Sequence, residues 1–357
     1  MSPAPGRPAA APGRRPLLAF TQGDPAGIGP EVVVKAVLGG AGGVLPLIVA
    51  ERAALEPLRG VLPDLTWDRL IVLDGPPTRA EIEAIVDRGS VPLLDPVGEP
   101  RRLTFGESGP ADAAGALAAL DAGIGLARSG VADALVTAPV SKASIARHAV
   151  PGFVGHTGHL AAACGLERYG RDYLMAFLAP DLQVALLSTH VPLRAALDTV
   201  TPEAILDALA CLDRAAGGRI AVAGVDPHAG EGGLLGTDDE ERVAPAVAEA
   251  RRRGLDVHGP ESADSLFARA RHGEFDWVLA LYHDQGLIAV KTAAFGLATN
   301  WTLGLPFLRT SPDHGTAFPL AGRGVADAAP LRAVVATTLA LLAGDLPKRR
   351  GSRRRLA

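Results

Sequence analysis

Between Tyr282 and Asp327 the chain gathers side chains that bind metal ions, phosphates and carboxylates into a run otherwise made of small and apolar residues. It reads Tyr282-His283-Asp284-Gln285-Gly286, then Lys291, Asn300 and Arg309, then Asp313-His314-Gly315-Thr316 and Ala321-Gly322-Arg323-Gly324. The apolar text just before it, Trp277-Val278-Leu279-Ala280-Leu281, predicts a buried strand. Polar side chains bunched after a buried strand are where α/β enzymes hold their chemistry, so the pattern predicts an enzyme.

Lysine usage sharpens this. Of 35 Lys plus Arg, only Lys35, Lys142, Lys291 and Lys348 are lysines. Arginine serves as the generic surface cation, so a surviving lysine marks a place where a compact ammonium matters, as a point charge on phosphate or as a group whose pKa shifts on burial. Lys348 sits in a basic tail and carries no such weight, whereas Lys142 and Lys291 follow strand-like text beside other polar residues. Lys291, Asn300 and Arg309 recur every nine residues, which suits neighbouring strand-loop units converging on one anion, with Arg as a fork. Surface solvation is the competing reading, and the uncharged text from Thr292 to Leu297 fits it poorly.

Nine histidines are present, three of them in compact polar contexts: Gly155-His156-Thr157, Thr189-His190-Val191 and Tyr282-His283-Asp284. Three imidazoles with open positions would make a catalytic divalent site, Zn²⁺ being the default ion. Their wide separations match no local metal motif, so hydrogen-bonded loop histidines are the alternative. His156-x-x-His159 puts two imidazoles on one helical face and is a rival pair. His228 and His314 lie in glycine-rich loops, as ligand contacts or turn residues.

Gly27-Ile28-Gly29 follows an apolar strand, but the dinucleotide fingerprint would need Gly or Ala where Val32 stands, so this is not the usual Rossmann turn. A glycine-rich loop opening a helix still offers N–H groups to an anion. A tight turn that needs glycine dihedrals explains the same residues. There is no Walker A pattern.

These groups must be positioned by elements, and the bulk composition limits which. A chain of 357 residues suggests two domains. With 48% hydrophobic and 21% charged residues it has the composition of a soluble globular protein. Aromatics are only 4%, so the core is built mainly from Ala, Val and Leu, and 42 Gly and 29 Pro imply many tight turns. The net charge is −4, and the tail from Lys348 onward supplies six positive charges, so the body is more acidic still. That balance argues against a nucleic-acid partner. Cys164 and Cys211 make no disulfide framework, which fits a cytoplasmic location. Residues 1–16 lack the apolar stretch of a secretory signal, and no uncharged apolar span is long enough for a membrane.

Strands are expected at Leu17–Thr21, Pro46–Ala50, Leu70–Leu73, Ala134–Thr137, Tyr173–Leu178, Val184–Ser188 and Arg219–Val225, alternating with helical text. A long helix is expected over Ala111–Arg128. A capping box at Thr237-Asp238-Asp239-Glu240 should open a helix to about Arg253, and a final helix should cover Ala326–Leu342.

The segments Gly23–Glu31, Ala138–Lys142, Gly155–Thr157, Thr189–Leu193, Pro227–Gly233, Tyr282–Gly286, Thr302–Phe307 and Arg309–Ala317, in this order, resemble the 4-hydroxythreonine-4-phosphate dehydrogenase family of pyridoxal phosphate biosynthesis. The resemblance runs from about residue 17 to 343. It implies an α/β, two-domain fold of the wider isocitrate and isopropylmalate dehydrogenase type, with the site in the cleft between domains. The domains implied are 17–137 plus 296–345 and 138–295, the latter carrying a dimer interface, flanked by disordered tails at 1–16 and 346–357.

The activity implied is oxidation of the secondary alcohol of 4-phosphohydroxy-L-threonine with NAD or NADP, followed by loss of CO₂ to give 3-amino-2-oxopropyl phosphate. Three histidines would bind the divalent metal, and they map onto His156, His190 and His283, with Zn²⁺ first and Mg²⁺ or Co²⁺ as alternatives. Substrate contacts map onto Ser141, Lys142, Lys291, Asn300 and Arg309. Gly27, Gly29, His314, Gly315 and Thr316 would lie along the cofactor. Lys142 is expected to move a proton and Asp284 to orient an imidazole. The family is a homodimer whose site draws on both subunits; neither nucleic acid nor membrane is a partner. Four departures face the expected cleft: Gly158 followed by His159, Asp226, Ser141 and Trp301. They bear on substrate identity. A catabolic dehydrogenase of threonate or erythronate 4-phosphate, and a non-catalytic metabolite-binding homologue, are the alternatives.

Overall fold

The computed structural model describes residues 14–40 and 42–345. These form two compact units, one from residues 14–164 with Pro306–Gly344, the other Gly165–Leu305. The chain passes between the units after Cys164 and after Leu305, where the resemblance implied 137 and 295, so residues 138–164 fall in the first unit and 296–305 in the second. The expected tails lie largely outside the described residues. Of the first, Arg14 and Arg15 are described, paired with Asp133 and Asp87.

The first unit begins with β1 (Leu17–Thr21), α1 (Gly29–Leu38), β2 (Leu45–Val49), α2 (Arg52–Leu55), β3 (Leu70–Val72), α3 (Arg79–Asp87), β4 (Val91–Leu94), α4 (Pro110–Arg128), β5 (Ala134–Thr137), α5 (Lys142–His148) and α6 (His156–Ala163). The second unit follows: β6 (Leu174–Leu178), β7 (Gln183–Leu186), α7 (Leu193–Asp198), α8 (Pro202–Ala215), β8 (Ile220–Ala223), α9 (Ala244–Arg252), β9 (Val257–Glu261), α10 (Ala263–Arg271), β10 (Trp277–Ala280), α11 (His283–Ala294) and β11 (Thr299–Leu303). The chain then returns to the first unit as β12 (Leu308–Pro312) and α12 (Ala329–Leu342).

In the first unit the strand order is β3-β4-β2-β1-β5-β12, all parallel. β1, β2 and β5 are buried along their whole length, as uninterrupted apolar runs in a covered parallel sheet must be. The edge strand β3 instead leaves Ile71 and Val72 exposed. In the second unit the order is β11-β6-β7-β10-β8-β9. Here β7, β10, β8 and β9 run parallel, while β6 pairs antiparallel with both β7 and β11. Its core packs Phe177, Val184, Leu186, Val278, Leu287 and Val290 between sheet and helices.

Three expectations are corrected. The capping box at Thr237–Glu240 does not form: Asp239 turns inward and accepts the N–H groups of Val225 and Asp226, and the chain winds as a wide π-turn before α9. The final helix starts at Ala329, because Asp327 Oδ1 takes the Ala329 N–H at 2.8 Å and Pro330 suits only the first turn. Lys291 is on a helix, not a strand-loop unit; only Asn300 and Arg309 stand on strands. Gly286, Leu287, Val290 and Ala294 are the buried stripe of α11, a helical period within the polar run.

Candidate active site

The site residues of the first unit come from the carboxyl ends of β1 and β5 and from the start of β12, three adjacent parallel strands. Arg309, within β12, is 2% exposed, and its Nη2 donates to Thr137 Oγ1 at 2.6 Å on the neighbouring strand β5. Burial pushes its guanidinium down to about 9. Arginine still keeps its charge at neutral pH, and an anion bound against it pulls the pKa back up.

Beyond β5 the loop reaches Ser141, the N-cap of α5, whose Oγ accepts the Ser144 N–H at 3.2 Å. Lys142 follows as the first helical residue, and partial burial lowers its ammonium below the ordinary lysine value. Its stem crosses Gly155, which has φ +130°; a Cβ there would lie 2.9 Å from Lys142 Cε. Glycine is needed at 155 for both reasons.

The next residue, His156, opens α6, and its Nε2 is buried with no hydrogen-bond partner among the described residues. Burial is the main reason its pKa falls well below the ordinary value, and the positive charges of Arg309, His159 and Lys142 add to it. His156 thus sits among cations, a setting suited to an anion. His159 turns its Nε2 to Asp121 Oδ1 at 2.6 Å on α4, so that nitrogen is engaged within the fold.

Gly27 and Gly29 make the turn from β1 into α1. A Cβ on Gly29 would meet Gln22 O at 2.0 Å, and one on Gly27 would meet Thr316 O at 3.0 Å. Thr316 O also accepts the Ile28 N–H at 3.0 Å, so that donor is spent inside the fold rather than offered to a ligand. Glu31, buried in the first turn of α1, accepts the N–H groups of Gly324 and Ala326 and pairs with Lys35 at 2.7 Å. It fastens the segment after β12 to α1. Gly315 faces open space beside His314.

In the second unit His190 and His283 come together, with ring centroids 5.1 Å apart. His283 Nδ1 lies 2.7 Å from Asp284 Oδ1, a contact that fixes the tautomer and leaves Nε2 to face a ligand. Gln285 ties this helix start to two strand ends: its Oε1 accepts the Leu281 N–H and its Nε2 donates to Gly224 O. Asp264, Tyr282, Asp284, Gln285 and Ile288 line a cavity of about 510 Å³.

His228 Nδ1 stands 3.8 Å from Asp264 on that rim, in a loop where His228, Ala229 and Glu231 all adopt positive φ. Asp226 is turned away, accepting the Asp238 N–H beneath Gly236. Lys291 is exposed on α11, and the buried Asn300 Oδ1 has no hydrogen-bond partner among the described residues. No three His, Cys, Asp or Glu side chains stand together as a metal group among the described residues.

Sequence reasoning passed over Thr137, which fixes Arg309, and Asp24, which is fully buried beside the Ser141 loop. The signal for both was a polar residue at or just beyond the end of an apolar strand.

An α/β scaffold with cations and imidazoles at the ends of parallel strands is the arrangement of enzymes that handle small anionic metabolites. The family of the pyridoxal phosphate biosynthetic protein PdxA matches residues 46–338, and the chain belongs to it. The 4-hydroxythreonine-4-phosphate dehydrogenase of Acidithiobacillus ferrooxidans is 41% identical over 322 residues, 87% of this chain and 92% of that protein. A protein of Oceanobacillus iheyensis provisionally named D-threonate 4-phosphate dehydrogenase is 34% identical over 328 residues, 88% of this chain and 94% of its own. The crystal structure of the 4-hydroxythreonine-4-phosphate dehydrogenase from Klebsiella pneumoniae is similar with a TM-score of 0.80 at 33% identity, covering 92% of this chain and 99% of that one.

Proposed function

We propose that the chain is a nicotinamide- and metal-dependent dehydrogenase. It oxidises 4-phosphohydroxy-L-threonine, whose product loses CO₂ to give 3-amino-2-oxopropyl phosphate for pyridoxal phosphate biosynthesis. The observation that carries this reading is the 41% identity, across 92% of its length, to a relative named for that substrate. The cationic surroundings of His156 support it, because the substrate carries both phosphate and carboxylate.

Arg309, held by Thr137, grips one anionic end as a fork, and Lys142 and Lys291 act as point charges. Ser141 is the further substrate contact at the start of α5. Asn300 supplies a buried acceptor to a substrate N–H or O–H. Lys142, with its lowered pKa, takes and returns the proton of the reacting hydroxyl at Nζ. When bound, the nicotinamide accepts the hydride and the divalent ion supplies Lewis-acid polarisation of the substrate oxygens. Gly27, Gly29, His314, Gly315 and Thr316 would hold NAD or NADP.

His190 and His283 fit a divalent ion, Zn²⁺ first and Mg²⁺ or Co²⁺ after it: the rings are close and Asp284 holds one of them. The third donor separates two readings. The family resemblance gives His156. His228, in the same unit as His190 and His283 and 3.8 Å from Asp264, is the competing candidate. Metal content of His156→Ala and His228→Ala decides it: the ligand variant loses metal, and the other keeps metal but loses substrate affinity.

A homodimer is supported by the apolar side chains of Ile288 and Phe295, 66% and 85% exposed on and just past α11. A cytoplasmic location follows from the pathway. No helix among the described residues is long and apolar enough to cross a membrane. Formation of NADH or NADPH on addition of 4-phosphohydroxy-L-threonine tests the whole reading. Binding without turnover would move the chain to the non-catalytic class.

A further inference from the structure

We propose that Asp24 is a positioning residue that fixes Lys142 in the site. The inference rests on the reading of Lys142 as a proton-transfer group.

Asp24 is completely buried in the turn after β1, and the loop that delivers Lys142 is built directly on it. The Asp24 N–H donates to Pro139 O at 2.9 Å. The two loops are so close at Gly23 (φ +70°) that a Cβ there would lie 2.2 Å from Pro139 O. One carboxylate oxygen, Oδ1, accepts the Ala26 N–H at 3.0 Å, which locks the turn. The other, Oδ2, has no hydrogen bond within normal distance, yet the Ser141 N–H and the Ser108 hydroxyl lie near enough to favour the ionised form. Ser108 carries the contact onward: its hydroxyl is 2.8 Å from that of Ser144, in the first turn of α5. Asp24 therefore supports α5 at its N-cap, Ser141, and through Ser108 at Ser144.

Burial is the main influence on the Asp24 carboxyl and raises its pKa; the negative charge of Asp112 raises it further. A carboxylate here is costly to keep ionised, and an uncharged residue would serve packing alone better. Lys142 is confined from the opposite side by Gly155. The Asp24 support at the start of α5 and the open face of Gly155 together hold the ammonium beside Gly155, the residue before His156.

The test uses the full-length chain with Asp24→Asn, Ser108→Ala, Lys142→Met and the double variant Asp24→Asn/Lys142→Met. In turnover, Asp24→Asn should lower kcat about tenfold while leaving the KM of the nicotinamide unchanged. The double variant should be no slower than Lys142→Met alone, because Asp24 acts through that lysine. Multiplicative losses would mean that Asp24 acts elsewhere and would overturn the proposal, as would a kcat within twofold of wild type.

A second readout needs no activity. With only four lysines in the chain, acylation of Lys142 can be followed by mass spectrometry against pH. Its labelling midpoint should rise toward that of an ordinary lysine in Asp24→Asn and in Ser108→Ala, with Lys291 unmoved. An unshifted Lys142 midpoint in both variants overturns the proposal. If the wild type fails to oxidise 4-phosphohydroxy-L-threonine, the functional reading falls and the labelling still decides the positioning. Ser108→Ala carries the test should Asp24→Asn fail to fold.

Discussion

A buried arginine keeps its place only if something holds it there, and Thr137 Oγ1, at 2.6 Å from Arg309 Nη2, is one such hold. A hydrogen bond to a charged group is worth roughly 1.5–3 kcal/mol, so its loss should be felt by whatever anion the guanidinium grips. Thr137→Val keeps the shape of β5 and removes the hydroxyl. The substrate KM should rise about tenfold or more with kcat changed less, measured by steady-state kinetics. Asp24 gives a prediction of a different kind. Its carboxyl pKa is raised in the folded protein, so between the unfolded value near 3.8 and the raised folded value the native state holds the proton more tightly. Stability contributed by this group is present below that window and lost as pH rises through it. Asp24→Asn should therefore gain in Tm relative to wild type as pH is raised from about 3.8 toward neutral, measured by thermal unfolding across pH. A gain that shrinks with rising pH would contradict it.

Among the elements, α1 holds the segment after β12 through two side chains, Glu31 and Lys35. Glu31 accepts from Gly324 and Ala326 and pairs with Lys35, whose Nζ in turn donates to Gly324 O and Ala326 O. Glu31→Ala leaves those N–H groups and a mostly buried ammonium without the carboxylate, which should cost about 3 kcal/mol of stability, read by denaturant unfolding. The nicotinamide KM should rise as well. β1, β2 and β5 were legible because fully covered parallel strands read as unbroken apolar runs, and β1 and β5 fall where Leu17–Thr21 and Ala134–Thr137 predict them, whereas β4 and β12 were not foreseen. α11 was less so: its period is carried by Gly286, Leu287, Val290 and Ala294, two of them too small to look apolar, and the polar run around them drew the eye to chemistry. Asp239 looked like part of a helix start, because a sequence cannot reveal that its carboxylate reaches back to Val225 and Asp226. Thr137 was opaque for the same reason, since its partner lies on β12, far along the chain.

For the molecule as a whole, family membership settles the kind of chemistry, and the site residues define how it is tuned. Removal of divalent metal with a chelator should abolish turnover, and readdition of Zn²⁺, Mg²⁺ or Co²⁺ should restore it to different degrees; full activity in metal-free protein would dismiss the role of His190 and His283. In the proposed reading Lys291, Asn300 and Arg309 would meet features that hydroxythreonine phosphate and the sugar-acid phosphates share, so selectivity would come from groups near the amine or hydroxyl beside the reacting carbon. Gly158 has no carboxylate where the resemblance implies a glutamate after His-Thr in the expected metal-binding loop. Asp226, engaged by the Asp238 N–H, is not turned outward to replace it. The most direct test of the central claim is kcat/KM for 4-phosphohydroxy-L-threonine against threonate and erythronate 4-phosphates under the same metal and cofactor. The proposed function predicts that the hydroxythreonine substrate is preferred by at least about tenfold, roughly 1.4 kcal/mol in transition-state binding. A tenfold preference for either sugar acid would contradict it.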